Sequence, residues 1–152
     1  MTSHVRNMEP SNCIARLTSR DVKDARAWAD QIAAESRESS RWAPYLADFA
    51  ALLRHKNSLV RNRAISLLAA NARWASAEAF EALMDEFFRH VTDEKPITAR
   101  QCIQALPEIA AAQPRLIPRI RRTLEHADLS RYRDSMQPLI LKDITAVLGQ
   151  LP

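Results

Sequence analysis

From Leu46 to Arg73 the chain reads LADFAALLRHKNSLVRNRAISLLAANAR, with apolar residues recurring every three or four positions. Leu46, Phe49, Leu52 and Leu53 form one stripe, which breaks at His55–Ser58. Leu59, Val60, Ala64, Leu67 and Leu68 form the next. Such spacing marks the core-facing side of an α-helix, so the segment predicts two helices joined by a tight turn. Upstream, Pro10 opens a short helix carrying Cys13, Ile14 and Leu17. Asp21 caps a helix reaching about Glu38, with Val22, Ala25, Trp28, Ala29 and Ile32 turned inward. A polar linker, residues 36–40, precedes Trp42 and Tyr45. Downstream, Trp74 ends a helix, and Ser76 begins another with Phe80, Leu83, Met84, Phe87 and Phe88. Pro96 suits the first position of a helix whose stripe is Ile97, Cys102, Ile103, Leu106 and Ile109, bent at Pro107. Pro114 starts a short helix with Leu116, Ile117, Ile120 and Leu124. The last helix is expected from about Ser130 to Leu148, bent at Pro138, with Gly149 as its left-handed cap. Period-two alternation of β-branched residues is missing, so the fold class is all-α.

The pattern also repeats. Leu52-Leu53-Arg54-His55 aligns with Phe87-Phe88-Arg89-His90 and with Thr123-Leu124-Glu125-His126, at spacings of 35 and 36 residues. In the helices that follow, Ala64, Leu67 and Leu68 match Cys102, Ala105 and Leu106, then Met136, Leu139 and Ile140. Helical pairs at this period cannot bury their apolar sides alone and must stack. The run from Asn57 to Ala64, followed by Leu67-Leu68-Ala69-Ala70, resembles the second helix of a HEAT or armadillo-type repeat. The chain is also similar to small bacterial HEAT-like proteins. The resemblance covers roughly residues 12–150 and implies a right-handed α-α superhelix of about four stacked hairpins. On this reading residues 10–152 make a single domain and residues 1–9 a frayed N-terminus. The valine-arginine pair typical of these repeats is intact at Val60-Arg61 and varied at Ile97-Thr98 and Tyr132-Arg133. Asn62, Arg100 and Asp134 share one repeat position, which predicts an Arg100–Asp134 pair between neighbouring repeats.

Composition adds limits. The 152 residues carry a net charge of +4, of which residues 96–152 contribute +3, and include one glycine. So few glycines leave no phosphate-cradling loop, and no nucleophile-elbow or HExxH pattern occurs. Cys13 and Cys102 read as buried free thiols of a reducing compartment, here the cytoplasm. No apolar run is long enough to span a bilayer and no signal peptide precedes the helices, so no membrane association is expected. His55, His90 and His126 recur at one repeat position. Neighbouring helices lie about 8–10 Å apart, too far for three rings to share a metal. Each is expected instead to sit favourably at a helix C-terminus. Neither metal nor cofactor is expected.

The remaining candidate is a surface. The second helices of a HEAT-like stack line its concave side, and the helical period turns Arg63, Ser66, Arg73, Gln101, Gln104, Glu108 and Lys142 toward solvent there. Ala70 and Ala111 lie on the same lines, as do Ser135, Pro138 and Thr145. This mildly basic groove predicts a non-enzymatic scaffold for a protein or peptide, monomeric or weakly dimeric through an end helix. Arg115, Arg119 and Arg122 fall on one side of a helix and form a candidate anion stripe. Some HEAT-like proteins are DNA alkylation-repair glycosylases, so nucleic-acid binding is the alternative. Against it stand Glu108 and the glutamines in the groove, and tryptophans at core positions or helix ends.

Overall fold

The computed structural model describes residues 10–152, and the expectation for residues 1–9 lies outside them. Eight α-helices and no strand occur among the described residues. The chain divides after Ala75 into two compact units.

The first unit begins with α1 (Pro10–Leu17) and α2 (Val22–Ser36). Asp21 caps α2 as its sequence requires, its carboxylate accepting from the Asp24 amide at 3.1 Å. A 3-10 helix at Ser40–Tyr45, α3 (Leu46–Ala51) and a 3-10 turn at Leu52–Arg54 form the broken first arm of a hairpin. Its second arm is α4 (Ser58–Asn71), capped by Asn57 and followed by a 3-10 turn at Ala72–Trp74. Trp28, Ile32, Trp42, Phe49, Leu53, Ile65, Leu67 and Leu68 close the core. α2 and α4 pack together and run in the same direction. At their C-terminal ends Asn71 Nδ2 donates to Ser36 Oγ at 3.1 Å. Toward their N-terminal ends Arg63 on α4 reaches the Leu17 carbonyl, four residues ahead of Asp21.

The second unit holds α5 (Ala77–Arg89), α6 (Pro96–Ala112), α7 (Ile117–Glu125) and α8 (Gln137–Gln150). Ser76 caps α5 and Pro96 takes the first position of α6, both as expected. Short 3-10 turns at His90–Thr92 and Pro114–Leu116 follow α5 and precede α7. Phe80, Met84, Phe87, Cys102, Ile103, Leu106, Ile109, Ile120 and Ile140 are fully buried. α6 packs along α8, and the loops leading into both are tied together. There the Tyr132 hydroxyl donates to the Asp93 carbonyl at 2.5 Å, and Arg131 donates to the Thr92 carbonyl at 2.6 Å. The two helices therefore also share a direction.

Three local expectations fail for identifiable reasons. α8 starts at Gln137, so Pro138 occupies its first turn instead of bending it, since that turn needs no proline N–H. Gly149 lies inside the helix with a negative φ, and Leu151 is the capping residue. Val22, Leu59 and Ile97, expected in buried stripes, and Leu139, matched to the buried Leu67, keep 47%, 40%, 69% and 41% of their surface. All four sit within the first three residues of α2, α4, α6 and α8. Ile97 precedes Cys102 by five positions, about 140° around the helix, and so points away from the buried arc.

Candidate binding surfaces

In the first unit α4 is buried almost all round, and only Ser58, Leu59, Asn62 and Ser66 along its length keep exposure, with Arg73 beyond its end. Arg63, expected on this line, is instead 7% exposed. Its Nη1 donates to the Leu17 carbonyl at 2.8 Å, bracing the C-terminus of α1 with a cation where the helix dipole favours one. Burial also lowers its pKa, so the charge is held at a cost. Arg61 is likewise buried, and Nη1 clips the preceding turn by donating to the His55 and Lys56 carbonyls at 2.9 and 3.1 Å. Arg73 stays exposed and donates to the Arg37 carbonyl at 2.9 Å. Trp74 donates through Nε1 to the Ser36 carbonyl.

In the second unit Ile97 heads a line on α6 that continues through Gln101, Gln104 and Glu108, with Ile97 and Gln104 exposed and the other two half-buried. Arg100 stands beside this line, but its partner is not Asp134. Nε donates to Asp143 Oδ2 on α8 at 2.6 Å, and Gln104 Nε2 lies 3.3 Å from Asp143 Oδ1. The expected register put α8 a helical turn or more too early, because residues 130–136 were counted as helix. Lys142, adjacent to Asp143, is exposed. Ser135 and Pro138, matched to the same line, fall before α8 and in its first turn.

The arginine stripe is largely neutralised. Arg115 reaches Glu81 Oε2 at 3.9 Å, and Arg119 pairs with Asp85 while its guanidinium lies over the Phe88 ring. Arg122 is exposed. Both pairs join α5 to the segment 34 residues on, so Arg115 and Arg119 tie the start of α7 to α5 where an anion site was expected. The three histidines each make a local contact, His126 back to its own helix and His55 and His90 forward into the turn that follows. His55 Nδ1 accepts from the Asn57 amide at 3.0 Å, and His126 Nδ1 lies 2.8 Å from the Arg122 carbonyl. His90 Nδ1 lies 2.7 Å from Asp93 Oδ1.

That last contact belongs to a buried polar cluster the sequence reading missed. Asp93 is 6% exposed, receives the Lys95 amide at Oδ2, and offers its carbonyl to Tyr132. Cys102 lies in its field. Burial first, and then the Asp93 charge, raise the Cys102 thiol well above its ordinary value. Burial lifts Cys13 to about 11 and Tyr132 to about 12. Both thiols are free, buried and protonated, so neither is a nucleophile. A pH effect follows with a definite sign. In the unfolded chain Cys13 and Tyr132 ionise near their ordinary values of 9.0 and 10.0. The fold withholds that ionisation, so stability is full below about pH 9 and falls as pH rises through 9 to 12. Urea melts at pH 8 and about 10.5 should differ by about 2–3 kcal/mol from these two groups, with Cys102 adding in the same direction, and Tyr132→Phe should flatten the upper part of the decline.

Compared with protein-family models, curated proteins and solved structures, the chain matches none at a significant level. No described helix is long and apolar enough to cross a membrane.

Proposed function

We propose that the chain is a short HEAT/armadillo-like stack of helical hairpins acting as a non-enzymatic scaffold for a protein or peptide segment. Support for the repeat comes from four contacts at nearly the same separation, beside others that span 38 to 46 residues. Ser36 meets Asn71, Arg37 meets Arg73, Glu81 meets Arg115 and Asp85 meets Arg119, all 34 to 36 residues apart. Arg61 fits the same reading, since it locks the turn between two arms of one hairpin.

The observation that carries the binding role is Ile97. A large aliphatic side chain left 69% exposed heads a line of amide and carboxylate groups on a rigid helix. Gln101 and Gln104 can each donate to and accept from a peptide backbone, while Ile97 supplies an apolar anchor. Buried reduced thiols suit a cytoplasmic setting. The test is capture of partners from a cytoplasmic extract by wild-type protein and by an Ile97→Glu/Gln104→Ala variant. Both residues are exposed, so the variant should keep its far-ultraviolet circular dichroism and melting temperature. Recovery of at least one partner should drop about tenfold, the loss of one interface anchor. Undiminished recovery of every partner removes this reading.

A further inference from the structure

Cut at the boundary between the units, the charge is lopsided: residues 1–75 carry +5 and residues 76–152 carry −1. Much of the excess gathers at one edge of the first unit. α2 and α4 run in the same direction, so their first turns lie at the same end. That end presents Arg20, Lys23 and Arg26 from the start of α2 and Lys56 from the turn into α4, all exposed. The carboxylates nearest in the chain are Asp21, engaged in capping α2, Asp24, paired with Arg16, Asp30, exposed one turn beyond Arg26 and away from the first turn, and Asp48 on α3. Among these cations stand Val22 and Leu59, 47% and 40% exposed.

We propose that this edge docks an acidic amphipathic segment of a partner protein. The proposal deepens the scaffold reading by giving the partner a chemistry, and rests on that reading. Charge selects the sign of the occupant, and the two aliphatic side chains select its kind. Both are more than half covered, so they make a shallow floor for a partner's apolar residues and not a wedge that would enter a bilayer. Nucleic acid would call for stacking rings, and the aromatic nearest this edge, Trp28, is buried. Packed helices lie about 8–10 Å apart, so the anchors facing Val22 and Leu59 should be separated by about seven residues of a helix.

The probe is a fluorescent helical peptide of about 15 residues, with leucines at one position and at three and seven beyond it, glutamates filling the exposed side. Anisotropy should show saturable binding to the full chain that weakens about tenfold as salt rises from about 50 to about 300 mM. Lys23→Glu/Arg26→Glu should weaken it at least about tenfold. Val22→Ser/Leu59→Ser should weaken it several-fold while leaving the salt dependence unchanged. All four positions are exposed, and each variant's melting curve checks that it folds. The proposal is overturned if the peptide does not bind, or if the charge-reversed protein binds as well as wild type. It is overturned equally if a leucine-scrambled peptide, a lysine-for-glutamate peptide, a DNA duplex or vesicles with about a third phosphatidylserine bind as tightly. Ile97→Glu should leave this binding intact. Loss of peptide binding with Ile97-dependent capture retained defeats the acidic-segment proposal alone, and the converse defeats the Ile97 surface alone.

Discussion

Arg63→Glu should destabilise the first unit by about 3–5 kcal/mol, the usual cost of leaving a charge buried without a partner. The guanidinium is nine-tenths buried and donates to the last carbonyl of α1. A carboxylate at that point would face the negative end of the helix dipole and a carbonyl oxygen that can only accept. Arg63→Met keeps most of the packing volume and removes the charge, and should cost about 1–2 kcal/mol, the worth of a charged hydrogen bond less the relieved burial of a cation. Arg73→Glu is the control. That side chain is exposed, and its replacement should shift stability by less than about 1 kcal/mol. Urea unfolding of the three variants decides between a brace and a binding residue. A wild-type midpoint for Arg63→Glu would return Arg63 to the surface where the helical period first placed it.

That misplacement shows where sequence reasoning runs out. Helix starts at Asp21, Ser76 and Pro96 were legible because capping chemistry is local: a side chain or a proline satisfies the first turn without distant residues. Exposure along α4 was not, since that helix is buried on nearly every side and the period marks only its most apolar arc. Arg61 and Arg63 are buried by their reach to carbonyls on other segments, which no spacing encodes. Ile97 and Leu59 could have been found. Each stands five positions ahead of a core residue, Cys102 and Ala64, a step that is out of phase with both helical neighbours. The end of the chain misled for another reason. Pro138 fits either a bend or a first turn, and only the Tyr132–Asp93 bond and the irregular backbone around it select the second. Choosing the bend moved the register and replaced Asp143 with Asp134 as the partner of Arg100.

Asp93→Ala should be the most damaging change of a polar residue in the second unit, at about 2–4 kcal/mol. Its carboxylate does two jobs at once: Oδ1 holds the His90 ring and Oδ2 receives the Lys95 amide just ahead of α6. Removing the amide's partner costs about 1 kcal/mol, as for other caps. Leaving a ring nitrogen of His90 without its partner at 9% exposure adds about 1–3 kcal/mol. Tyr132→Phe touches the same cluster but deletes only a hydroxyl, and should cost about 1 kcal/mol. Cys102 provides a reporter. Its thiol is fully buried and kept protonated chiefly by that burial, so losing the Asp93 charge will not make it reactive while the unit stays closed. Opening of the α6 N-terminus exposes it. Labelling of Cys102 by a thiol reagent in a Cys13→Ala background should therefore accelerate in Asp93→Ala by at least about tenfold, and far less in Tyr132→Phe, since each 1.4 kcal/mol of lost local stability raises the open population tenfold. Equal labelling rates in wild type and Asp93→Ala would mean that the loops entering α6 and α8 are held by packing alone.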